Sequence, residues 1–134
     1  MIKSIVLPRL TDSTDHGPIV YARGRTVSLK YDYQKSDGTT DWTEIEFNGV
    51  LAYRFDEWTC ADDDSYINFR KMAECDSSPW LVKKLDKWQR EVGHYQFQID
   101  KGGRSRFKHY MIYFDDQGTF EVICSGYQIT PPSA

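Results

Sequence analysis

The sequence holds little of what announces chemistry. Its three cysteines, Cys60, Cys75 and Cys124, are odd in number with none in a CxxC spacing, which fits neither a disulfide framework nor a zinc site. The three histidines, His16, His94 and His109, belong to no metal or nucleophile motif. No apolar run approaches the roughly 18 residues of a membrane span. The segment from Met1 to Pro8 does not read as a signal peptide: its apolar part is short, Pro8 interrupts it, and no small-residue cleavage site follows. A cytoplasmic protein is therefore expected. The formal net charge is −3, which argues against direct nucleic-acid binding, where clustered Lys and Arg must release phosphate counterions. Neither a repeat nor a low-complexity linker divides residues 1–134, so a single domain is expected.

Aromatic residues are abundant, at 15% of the chain, which favours strands and leaves aromatic surface for a partner. The clearest pattern runs from Phe107 to Ile129. Tyr110, Ile112 and Phe114 alternate with His109, Met111 and Tyr113, and Phe120, Val122 and Cys124 alternate with Glu121 and Ile123. Between the two runs, Asp115-Asp116-Gln117-Gly118 spells a tight turn, with Gly118 free to take a positive φ. The result is an antiparallel hairpin with little polarity on either face, as in the centre of a sheet. Cys124 in this alternation reads as core packing. A Cys–His catalytic pair would require the fold to bring a thiol to one of the histidines.

Upstream, Val27, Leu29, Tyr31 and Tyr33 alternate with Ser28, Lys30 and Asp32 as a half-buried strand, and Ser36-Asp37-Gly38-Thr39 reverses the chain. In TEIEFNGVLAYRF, Ile45, Phe47, Leu51, Tyr53 and Phe55 fall on one face and Glu44, Glu46, Asn48 and Arg54 on the other. This partition favours one long strand, kinked or bulged at Gly49 and paired with 26–33, over a two-residue Asn48-Gly49 turn, which would mix the faces. Ile5, Val6 and Leu7 allow a short edge strand before the polar loop at 11–18. One helix is clear. Ser77 or Ser78 caps it, Pro79 suits its first position, Leu81, Leu85, Trp88 and Val92 share a face near Trp80, and Gly93 ends it. His94 to Ile99 is extended, and 101–106 is a basic loop lacking the strand-loop-helix setting of a phosphate site. Residues 66–75 stay open between helix and edge strand. Together these elements predict an α+β fold: an antiparallel sheet of about five or six strands with the helix at 79–92 on one face.

The most polar feature is the acidic segment of Asp56, Glu57, Asp62, Asp63 and Asp64 around Trp58. A charge run is commonly a solvated loop. Calcium loops need a Gly at the bend and a distal bidentate Glu, both missing here, so no metal or cofactor is expected. Acids beside an aromatic suit a partner-binding surface, with Trp58 as anchor and the carboxylates steering a basic protein. The rival reading is a small-molecule binder or enzyme with an aromatic pocket between sheet and helix, using His94, His109, Tyr110 or Glu121. A structural subunit of a phage or secretion assembly is the third.

FNGVLAYRF, then SSPWL opening a Lys-rich helix, then HYMIYFDDQGTFEVIC resembles small bacterial cytosolic proteins of the toxin-immunity type over residues 43–129. The matching positions, Trp80, Tyr110, Tyr113, Asp115 and Gly118, are structural. The resemblance implies a non-enzymatic inhibitor that covers the active site of a cognate toxin, frequently a nuclease, with an acidic and aromatic surface. It carries over no catalytic residue.

Overall fold

Alternation in the sequence becomes two antiparallel sheets in the computed structural model, which describes residues 2–9, 18–56, 71–92, 103–114 and 118–130. The strands are β1 (Ile2–Val6), β2 (Ile19–Arg23), β3 (Thr26–Gln34), β4 (Thr40–Asn48), β5 (Ala52–Asp56), β6 (Lys71–Cys75), β7 (Lys108–Phe114), β8 (Gly118–Cys124) and β9 (Gly126–Ile129), with helix α1 (Pro79–Val92) between β6 and β7. One sheet has the order β1-β6-β7-β8-β5 and the other β2-β3-β4-β9. The fold is α+β with one main helix, as expected, but the strands divide between two packed sheets and are not confined to a single one.

Two cores account for the layering. Val27, Leu29, Tyr31, Ile45 and Phe47 of the four-stranded sheet pack on Met72, Tyr110, Ile112, Phe114, Phe120, Val122 and Cys124 of the five-stranded sheet. Phe47 sits at their centre, 5.7 Å from the Phe120 ring and 6.2 Å from Tyr110. Burying such a ring fully stabilises by about 1.5–3 kcal/mol. On the far side of the five-stranded sheet, Leu81 and Leu85 of α1 meet Phe107 and Ile123, with Leu51, Trp80 and Trp88 at the margin. Strand β8 is the middle layer and is buried from Gly118 to Cys124, which explains why neither face of the hairpin reads as polar. Its register with β7 runs from Lys108↔Cys124 to Phe114↔Gly118, and Gly118 has φ 122°.

The segment 44–55 does not form the continuous strand expected. Strand β4 ends at Asn48 in one sheet and β5 begins at Ala52 in the other. Gly49 turns the chain with φ 63°. The crossing is held by Val50 N–H to Arg25 O at 2.8 Å, Leu51 N–H to Ile123 O at 2.9 Å and Ser125 N–H to Asn48 O at 3.1 Å. Ser125 marks the neighbouring crossing, from β8 back to β9. The facial pattern that favoured one strand is real, but Ile45 and Phe47 serve one sheet while Tyr53 and Phe55 lie on the opposed face of the other. Of the ambiguous 66–75, residues 71–75 are strand, pairing with β1 at one sheet edge. The proposed extended segment at 94–99 lies outside the described residues.

Gly49 leaves no room for a side chain, because a Cβ there would run into Ser125 Oγ on a left-handed backbone. Gly49→Ala should destabilise by about 2–4 kcal/mol in urea melts, the backbone cost plus displacement of Ser125. Gly24, at φ 60° with open space around it, should cost only about 1 kcal/mol on the same change.

Candidate functional site

Of the six residues in the proposed acidic surface, Asp56 closes β5, while Glu57, Trp58, Asp62, Asp63 and Asp64 lie outside the described residues. Asp56 is partly exposed and faces Arg54, Oδ2 to Nε 3.6 Å. Along β5 the side chains alternate. Tyr53 and Phe55 pair with Val122 and Phe120 on the inner face, yet remain 46% and 41% exposed, so the four-stranded sheet does not cover this edge. Arg54 and Asp56 point the other way, towards the side that carries α1.

On that side β5, β7, β8 and the start of α1 converge on one polar network. His109 and Glu121 come from the two strands of the hairpin, on the same face of the sheet, and are 4% and 2% exposed. His109 Nε2 lies 2.9 Å from Glu121 Oε1. Arg54 donates to the same carboxylate from Nε at 2.8 Å and from Nη2 at 3.2 Å. The other ring nitrogen, Nδ1, is 2.7 Å from Ser78 Oγ, and Ser78 Oγ also accepts the Leu81 N–H at 3.1 Å as the helix cap. Trp80 closes the network, its ring edge-on to His109 at 4.9 Å and under the Arg54 guanidinium at 4.1 Å.

Electrostatics fixes the protons. Burial pushes the Glu121 carboxyl up, but hydrogen bonds from His109 and Arg54, with the Arg54 charge, outweigh it and bring the group down to about 2. An ionised Glu121 only accepts, which assigns the Nε2 proton to the bond with Glu121. In the neutral ring Nδ1 is then the acceptor, and Ser78 donates to it.

The structure thus unites His109 and Glu121, which the rival reading named, and excludes Tyr110 from them: Tyr110 faces the inter-sheet core. His94 and His16 lie outside the described residues. Cys75 sits opposite His109 in the β6–β7 ladder, but both ring nitrogens are taken by Ser78 and Glu121, so the ring is engaged elsewhere than with the thiol. Cys124 is fully buried and burial pushes its thiol up to about 12, consistent with core packing. Arg104 of the basic loop is bound to α1, 2.7 Å from Asp86 and 2.9 Å from Gln89 Oε1, and its segment forms a short 3₁₀ turn.

Sequence reasoning missed Ser78 as more than a cap, Arg54 as the partner of Glu121, and a second aromatic patch. Trp42 and Tyr21 are 42% and 43% exposed on the outer face of the four-stranded sheet. Between them Glu44 receives the Tyr21 hydroxyl at 3.3 Å and lies 4.0 Å from Lys30. The parity of Trp42 with Glu44 and Glu46 was the available signal.

Comparisons with protein-family models, curated proteins and solved structures found no match. What the geometry defines is an α+β protein of two packed sheets with a buried Ser–His–Glu–Arg network beneath its helix.

Because the folded Glu121 carboxyl is depressed, it adds stability that is fully present above its ordinary value near 4.5 and is lost as pH falls towards about 2. Wild-type protein should lose stability over that window more steeply than Glu121→Gln, by about 2–3 kcal/mol in acid-dependent urea melts. Parallel curves for the two proteins would show that Glu121 does not control the acid limb.

Proposed function

We propose that this chain is a protein-binding module of the immunity type, which neutralises a cognate toxin by covering its active site with an acidic and aromatic surface. The observation that supports it is the β5 edge, where Tyr53 and Phe55 are 46% and 41% exposed beside the buried Phe120 and Val122 and the strand ends in Asp56. Exposed aromatics set at a rigid sheet edge suit interface anchors, since they bury large area at little entropic cost. In sequence, Glu57, Asp62, Asp63 and Asp64 follow directly. Their charge matches the Lys and Arg that a nuclease uses to hold substrate phosphates. In this reading the acids steer association, the rings provide the lasting contact, and inhibition is steric and electrostatic. Tyr53 and Phe55 join Trp58 as anchors, and Tyr53 is held in place by the core ring Phe120, 6.5 Å away.

The test begins with proteins captured from the host by tagged full-length chain, assayed for nuclease activity with and without added chain. Wild type should inhibit a captured nuclease. Tyr53→Ala with Phe55→Ala should weaken that binding by about 100-fold or more, mostly through faster dissociation. Charge reversal of Asp56, Glu57, Asp62, Asp63 and Asp64 should slow association and flatten its salt dependence. Equal capture and inhibition by all three proteins would remove the proposal.

A further inference from the structure

We propose that Ser78 is an activated nucleophile, with His109 as its general base and Glu121 as the group that orients the base, able to take an acyl group from a small activated ester. The proposal is independent of the binding role assigned to the β5 edge.

Helix capping alone asks Ser78 Oγ to accept a backbone N–H, which Leu81 supplies at 3.1 Å, and places no demand on the hydroxyl proton. That proton has a specific destination here. His109 Nδ1 lies 2.7 Å away, and the opposite nitrogen is held by Glu121 at 2.9 Å. A hydroxyl, an imidazole and a buried carboxylate in series form the arrangement that recurs on unrelated folds, recognised by geometry and roles and not by order in the chain. The order of ring nitrogens is reversed relative to the serine-protease arrangement, which leaves the proton path unchanged. Arg54 and Trp80 fix Glu121 and the ring, so the base is preorganised.

Access completes the argument. The base and carboxylate are buried, whereas Ser78 is partly exposed and its neighbours Asp76, Ser77 and Pro79 are exposed. An ester carbonyl can therefore approach from solvent at the β6–α1 turn. Oγ would bond to the carbonyl carbon as its proton passes to Nδ1, with the positive end of α1 favouring the negative charge on the carbonyl oxygen. Collapse breaks the bond to the leaving oxygen, which takes the proton from Nδ1. Water, giving a proton to the same nitrogen, then cleaves the acyl-serine ester and restores Ser78, releasing the carboxylic acid.

The probe is a fluorophosphonate, incubated with the folded full-length chain and read by intact mass and peptide mapping. One adduct per chain, on Ser78, is expected. It should be absent in Ser78→Asn, which keeps a capping oxygen, and should form about 100-fold more slowly in His109→Gln. No adduct, an adduct on another residue, or an equal rate in His109→Gln would overturn the proposal. If circular dichroism shows His109→Gln unfolded, the wild type decides: labelling of Ser78 no faster than that of the exposed neighbour Ser77 would overturn the proposal equally.

Discussion

Glu121 is a carboxylate in the middle layer of the molecule, 2% exposed on a strand buried on both faces. A charge there is tolerated only if every oxygen is paired, and its partners reach it from separate elements. Arg54 fixes the side-chain direction of β5, and His109 fixes its ring within β7. Through His109 the requirement extends to Ser78, and so to the first turn of α1. One buried ion thereby sets where the helix starts, which way the edge strand faces and which ring nitrogen holds the proton. Apolar packing of Leu81, Leu85, Phe107 and Ile123 supplies adhesion between helix and sheet, but it is less directional than this polar anchor.

The second organising constraint is the pair of neighbouring crossings at Gly49 and Ser125. Here the chain leaves one sheet for the other twice, and three backbone hydrogen bonds tie the crossings to the adjoining strands and turn. The left-handed backbone at Gly49 lets β4 end in the four-stranded sheet while β5 starts in the five-stranded one. That transfer puts Tyr53 and Phe55 on an inner face that the opposing sheet does not reach. The exposed aromatic edge is thus a consequence of topology, and it turns an apparent core pattern into available surface.

The two proposed working regions lie on opposite faces of β5. The inner face exposes Tyr53 and Phe55, the anchors of the proposed docking edge, while Arg54 on the outer face belongs to the polar network under α1. Because alternate residues of one short strand serve both, Arg54 mechanically links the proposed docking edge to the polar network through Glu121.

Much of the secondary structure was legible from spacing alone: the strand at Thr26, the hairpin closed by Gly118 and the helix opened by Ser78 and Pro79. These are local properties, set by period-two and helical alternation and by turn and capping chemistry within a few residues. The crossing at Gly49 was not legible, since parity is preserved across it and periodicity cannot tell one sheet from two. Nor could the chain order reveal that Ser78, His109, Glu121 and Arg54 meet, because 67 positions separate Arg54 from Glu121 and only strand pairing removes that distance. The sequence by itself determined the elements and which residues alternate. Tertiary structure alone decided which alternating face is buried, since that depends on what packs across it, and so decided that Tyr53 and Phe55 are surface while Glu121 is core.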